Sequence, residues 1–232
     1  NVNSVTPIIS AKEPTSTPTG SSICANDSST RKYDAPNGQH GNHMAFDFEE
    51  FANSYISDLE RTLSDLPMES LSSFWRMVEK VRSSGGCVHF IGNGGSAATP
   101  SHSAGDWSKE LSLRTISHTD NASSLTAWAN DTDYSNIFAG QLSTFIRHGD
   151  LVVAYSGSGN SENVLNGITF AKENGCSTAA ITGDYKGMAG GKLAKLVDVV
   201  IVIPTTSMER IEDVQLVINH IIKEAVKSNN GL

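Results

Sequence analysis

Cys87-Val88-His89-Phe90-Ile91-Gly92-Asn93-Gly94-Gly95-Ser96 is the stretch on which the fold turns. Its first five residues form a short, mostly apolar run behind Gly85-Gly86, the pattern of a buried strand, and it runs directly into a glycine-rich turn. A turn of this kind at the start of a helix gathers free backbone N–H groups and the positive end of a helix dipole at the strand's carboxyl end. The unit returns in altered form. Leu151-Val152-Val153-Ala154-Tyr155 is an apolar strand, Ser156-Gly157-Ser158-Gly159-Asn160-Ser161 a turn, and Glu162 to Asn174 a helix. Further strands are expected at Thr178–Ile181 and Val199–Ile203, and a last helix over Glu209 to Lys227. Upstream, Phe48, Phe51, Tyr55, Leu59 and Leu63 recur at helical spacing, and a second helix is expected over Leu71 to Val81. Strands alternating with helices imply a three-layer α/β/α domain with a parallel sheet. Ligands of such sheets bind beyond the carboxyl ends of the strands, where both turns fall.

Residues 1–44 are rich in Ser, Thr, Pro, Asn and Gly and carry almost no periodic apolar residues, so they cannot offset the entropy of ordering. A disordered N-terminal extension or added tail is expected there, with Met44 leaving open which, and the folded domain is placed at 45–232. A net charge of −8 argues against nucleic acid as a partner, which needs clustered Lys and Arg. An anionic ligand must then be held by local geometry. The cysteines Cys24, Cys87 and Cys176 have no C-x-x-C spacing and suggest neither a disulfide framework nor a structural zinc site. No apolar run reaches the roughly 18 residues of a membrane span, so no membrane partner is expected and the cytoplasm is the expected compartment.

In the second turn Ser156, Ser158 and Ser161 offer hydroxyl donors suited to a phosphate dianion, beside the backbone N–H of Gly157. Neither G-x-G-x-x-G nor a G-K-[ST] ending is present, so no nucleotide cofactor is expected. After the first turn His102 and Asp106 stand four residues apart and share a helix face, with Pro100 expected near the first turn, where a missing N–H costs little.

Gly92-Asn93-Gly94-Gly95-Ser96-Ala97-Ala98 and Ser156-Gly157-Ser158-Gly159-Asn160-Ser161 together resemble the two signatures of SIS-domain phosphosugar isomerases, most of all the phosphoheptose isomerases. Ala129-Asn130-Asp131 and Met208-Glu209-Arg210-Ile211-Glu212 fall where that group has its substrate-contacting and late-helix motifs. The resemblance implies a flavodoxin-like fold, a homotetramer with active sites at interfaces, and interconversion of the phosphorylated sugars sedoheptulose 7-phosphate and glycero-manno-heptose 7-phosphate for surface-polysaccharide precursors. It implies substrate contacts from Asn93, Gly94, Gly95, Ser96, Asn130, Asp131, Ser156, Gly157, Ser158, Ser161 and Glu212, and catalysis by Asp106 and His220. His102, Asp106, Glu212 and His220 would form a ligand set for zinc, a site some members show.

Several positions depart from the resembling group. Asp106 stands for its Glu, Glu212 for its Gln, Gly157 for its Thr, and Glu110 for a substrate-contacting Arg, which moves that contact toward Lys109 or Arg114. Two alternatives stay open: isomerisation of another phosphosugar, and a non-catalytic regulatory module resembling the replication-initiator-associating protein. Retention of Asp106 and His220 favours chemistry.

Overall fold

The structure, a computed structural model, describes residues 46–232, and the expected extension at 1–44 lies outside the described residues. Two helices open it. α1 (Phe48–Ser64) is started by Asp47, whose carboxylate accepts the Glu50 N–H at 3.0 Å, and α2 (Met68–Ser83) follows a Pro67 break. Then β1 (Cys87–Gly92), α3 (Gly95–Leu111), β2 (Arg114–Ser117), α4 (Ala122–Asp131) and α5 (Ile137–Phe145) lead to β3 (Leu151–Ser156). The chain ends with α6 (Glu162–Glu173), β4 (Ser177–Gly183), β5 (Val199–Ile203) and α7 (Met208–Asn230).

All four strand pairings are parallel, in the order β2-β1-β3-β4-β5, with Val88 opposite Leu151 and Gly92 opposite Tyr155 at the centre. The order reverses between β1 and β3. The turns after these two strands therefore flank the switch point, the crevice where doubly wound sheets bind ligands. Alternation along the strands divides the core in two. Val88, Phe90, Val153 and Tyr155 pack with Phe74, Trp107 and Ile218 of α2, α3 and α7. Ile91, Val152 and Ala154 pack with Phe138, Val164 and Ile168 of α5 and α6.

Three features depart from the sequence reading. The four-residue edge strand β2, half exposed, lacked the apolar run that marks β1 and β3. Pro100 is the sixth residue of α3, beyond the first turn, so the helix forgoes the bond its N–H would have made to the Ser96 carbonyl. The apolar stripe of α1 is only partly used within one chain: Leu59 and Leu63 pack on the core, whereas Phe48 is 72% and Ile56 52% exposed.

Candidate active site

α3 and α7 lie side by side in the same direction, each starting beyond the carboxyl end of a strand, and their facing side chains form successive rungs. The first rung is Glu212 with Gly95, where a Cβ on the glycine would stand 2.3 Å from the Glu212 carboxyl group. Next, the buried Ser96 hydroxyl donates to Gln215 Oε1 at 3.0 Å. Farther along, His102 Nε2 lies 3.1 Å from His220 Nε2 and 3.1 Å from Asp106 Oδ2, with His220 Nε2 3.6 Å from the same oxygen. The last rung joins Glu110 to Lys223 at 3.2 Å and Lys227 at 2.8 Å. Those two ammonium groups, Lys227 first, hold the Glu110 carboxyl down to about 2. Burial opposes the charge of Lys223, but hydrogen bonds to Glu110 and Glu224 together with the attraction of Asp106 and Glu110 keep it above the usual lysine range.

This ladder sorts the candidate residues. His102, Asp106 and His220 converge, with one ligating atom from each lying within 4.8 Å of the others. Asp106 and His220 meet within one chain. Glu212 does not join them. It lies eight residues before His220, about 12 Å along the helix axis, with its carboxylate over the start of α3. There its negative charge lies near the positive end of the α3 dipole. The Ser96 hydroxyl, a single donor already given to Gln215, has none left for a phosphate.

The second turn is differently disposed. Ser156 Oγ accepts the Gly159 N–H at 3.1 Å and Ser158 Oγ the Asn160 N–H at 3.3 Å, which shapes the loop. Ser161 starts α6 without a side-chain cap. Among the described residues neither Ser158 nor Ser161 donates its hydroxyl to a protein acceptor, so both remain available beside a helix N-terminus. A Cβ at Gly157 would stand 2.3 Å from Met208 Sδ, so the sulfur occupies the space that a threonine would need.

Between the two turns lies a cleft of about 370 Å³ lined by Asn93, Tyr134, Ser135, Ser161, Glu162 and Asn163. A neighbouring hollow of about 240 Å³ extends it past Gly94, Ala97, Thr119 and Ala129. Asn93 and the buried Asn163 exchange amide hydrogen bonds of 2.8 and 2.9 Å, and Tyr134 donates to Asn93 at 3.2 Å. Asn163, Tyr134 and Lys223 were not singled out in the sequence, since none stands within a signature. Asn130 and Asp131 are exposed, bonded to each other at 2.8 Å, and line neither hollow. Arg114 donates to Gly85 O, at the opposite end of the sheet from the turns, and Lys109 is exposed. Neither hollow includes Asp106 or His220.

The SIS domain pattern matches residues 50–183. A probable phosphoheptose isomerase from Thermoplasma volcanium is 36% identical over 181 residues, covering 76% of this chain and 90% of its own. The phosphoheptose isomerase of Rhodospirillum rubrum is 41% identical over 143 residues, 60% of this chain and 74% of its own.

The chain belongs to the SIS-domain phosphoheptose isomerase family.

The phosphoheptose isomerase structure from Neisseria gonorrhoeae superposes with a TM-score of 0.74 at 26% identity, covering 78% of this chain and all of that one. Within a family of isomerases the His102–Asp106–His220 cluster gains chemical meaning. Its separations of 3.1, 3.1 and 3.6 Å are near the edge of about 3.3 Å expected for a tetrahedron of zinc ligands with bonds of roughly 2.0–2.1 Å. Two imidazoles and a carboxylate are a donor set that suits zinc with a position left open.

Proposed function

We propose that this chain converts D-sedoheptulose 7-phosphate to D-glycero-D-manno-heptose 7-phosphate, a precursor for heptose-containing surface polysaccharides. The observation that carries the reading is the convergence of Asp106 with His102 and His220 in a phosphoheptose isomerase relative. A module that only bound phosphosugars would need the turns but no carboxylate set between imidazoles.

In the forward direction Asp106 takes the proton from carbon-1 of the ketose and returns it to carbon-2 of the enediol. His220 gives a proton to the carbon-2 oxygen and receives one from the carbon-1 oxygen, so the sugar neither gains nor loses a proton overall. Ser158, Ser161 and the N-terminus of α6 hold the phosphate. Alternatively, His102, Asp106 and His220 would hold a zinc ion, which would polarise the sugar carbonyl in place of the proton from His220 and leave the second Asp106 oxygen to move the carbon-bound proton.

The start of α3 at Gly95 and its Asp106 are separated by eleven residues, about 16 Å along the helix. That separation, together with the exposed apolar residues of α1, supports an active site completed by a second copy in a homotetramer. No helix among the described residues is long and apolar enough to cross a membrane, and the reading includes a cytoplasmic setting.

Incubating the full chain with sedoheptulose 7-phosphate and assaying the aldose tests the reading. Formation of the heptose aldose is expected. Turnover of a different phosphosugar alone would reassign the substrate, and no turnover of any phosphosugar would turn the reading to a regulatory module.

A further inference from the structure

We propose that Lys223 is the positioning residue for Asp106, the fixed cation that holds the proton-transferring carboxylate between the two imidazoles. The inference rests on the reading of Asp106 as the base. Lys223 lies one turn beyond His220 on α7 and is only 9% exposed. Its Nζ stands 3.6 Å from Asp106 Oδ2, 3.2 Å from Glu110 Oε1 and 3.3 Å from Glu224 Oε1. An ammonium so withdrawn from water requires carboxylate partners. Glu110 supplies one and is itself gripped from its other oxygen by Lys227 at 2.8 Å. Lys223 is thereby anchored, one turn of α3 beyond Asp106, by a pair of residues that take no part in the proton transfer.

Asp106 is placed differently. Its ion-pair partners among the described residues, His102, His220 and Lys223, all approach one oxygen, Oδ2. His102 comes from the same helix and the other two from α7, so the carboxylate is drawn toward the α3–α7 groove. Of the three, Lys223 is the one permanent cation near neutral pH, and it takes no part in the proton transfer. Among this chain's own groups, its loss would leave the carboxylate with imidazoles alone, one of which exchanges protons with the sugar. Because proton transfer demands close alignment, a displacement of about 1 Å can cost a hundredfold in rate. Lys223 contacts the base and not the reacting carbons, which makes its role one of positioning.

Steady-state kinetics on sedoheptulose 7-phosphate, with thermal melts in parallel, test the role in Lys223→Met and Lys223→Arg. Methionine keeps the apolar stem and removes the charge. In Lys223→Met kcat is expected to fall roughly ten- to hundredfold with KM within about twofold, and Lys223→Arg should recover most of the loss. Wild-type kcat in Lys223→Met overturns the proposal, as does an equal loss in both variants that tracks a lowered melting temperature. Should Lys223→Met not fold, Glu110→Gln removes the anchor while leaving Lys223 in place. A lowered kcat at unchanged KM in Glu110→Gln supports the role and an unchanged kcat overturns it. Asp106→Asn separates the two assignments. If Asp106→Asn is inactive and Lys223→Met is unimpaired, only Lys223 is misassigned; if Asp106→Asn turns over normally, the base itself is.

Discussion

At the scale of single residues, the two glycine-rich turns differ in what they leave free. The first is occupied from within by Glu212 and Gln215, while the second presents Ser158 and Ser161 with uncommitted hydroxyl protons. Ser158→Ala and Ser161→Ala are each expected to weaken phosphosugar binding about tenfold or more, the worth of a hydrogen bond to a charged acceptor, with the melting temperature unchanged. Calorimetric titration checks this, and unchanged affinity in both would remove the phosphate from the second turn. Asp106→Asn keeps the size of the side chain and removes the proton acceptor, so kcat should fall roughly 10²–10⁴-fold while affinity is retained. Glycine at 157 leaves room for the Met208 sulfur, and a side chain there meets only the far end of that flexible, half-buried side chain, so Gly157→Thr should cost less than about 1 kcal/mol and Met208→Ala should remove what cost there is. Denaturant melts of the single and double variants measure the coupling.

At the scale of elements, a buried chain of hydrogen bonds ties β1, β2 and the start of β3. His89 Nε2 lies 3.3 Å from Asp150 Oδ2 and its Nδ1 3.0 Å from His118 Nε2, with both imidazoles buried against the α5 side of the sheet. Asp150 also accepts the Cys87 and Arg147 N–H groups, which fixes its carboxylate at the lower ends of the strands. Burial above all pushes His118 down to about 3 and also lowers His89. The sign follows from linkage: between the ordinary histidine range near pH 6.5 and about 3, the unfolded chain binds a proton that folded His118 refuses, so stability falls as pH falls through that window. The expected loss is about 1 kcal/mol per pH unit for this residue. Denaturation midpoints from pH 7 to 5 should show that slope, and His118→Gln should flatten it while lowering stability at pH 7. An equal slope in the variant would place the acid sensitivity elsewhere.

At the scale of the whole molecule, α1 presents Phe48 and Ile56 to solvent in a single chain, an apolar face that suits contact with another copy. If the proposed homotetramer uses this face, Phe48→Asp should shift the protein to smaller species in light scattering and lower turnover with it; an unchanged mass would take α1 out of the proposed assembly. The sequence by itself determined the parallel α/β architecture, because a buried strand leading into a Gly/Ser turn and a helix leaves the chain few other ways to satisfy its backbone. It also determined the two signature turns and the shared helix face of His102 and Asp106, which depend only on local spacing. Tertiary structure alone decided which distant residues meet. Glu212 and His220 look equivalent as candidates along one helix, yet the side-by-side run of α3 and α7 sets Glu212 over Gly95 and His220 beside Asp106, some two turns apart. Lys223 and Asn163 carried no signal in the sequence for the same reason: their importance lies in the partners that α3 and the Asn93 turn bring to them. Spacing along a helix fixes which residues share a face, but only the packing of one helix against another fixes what that face meets.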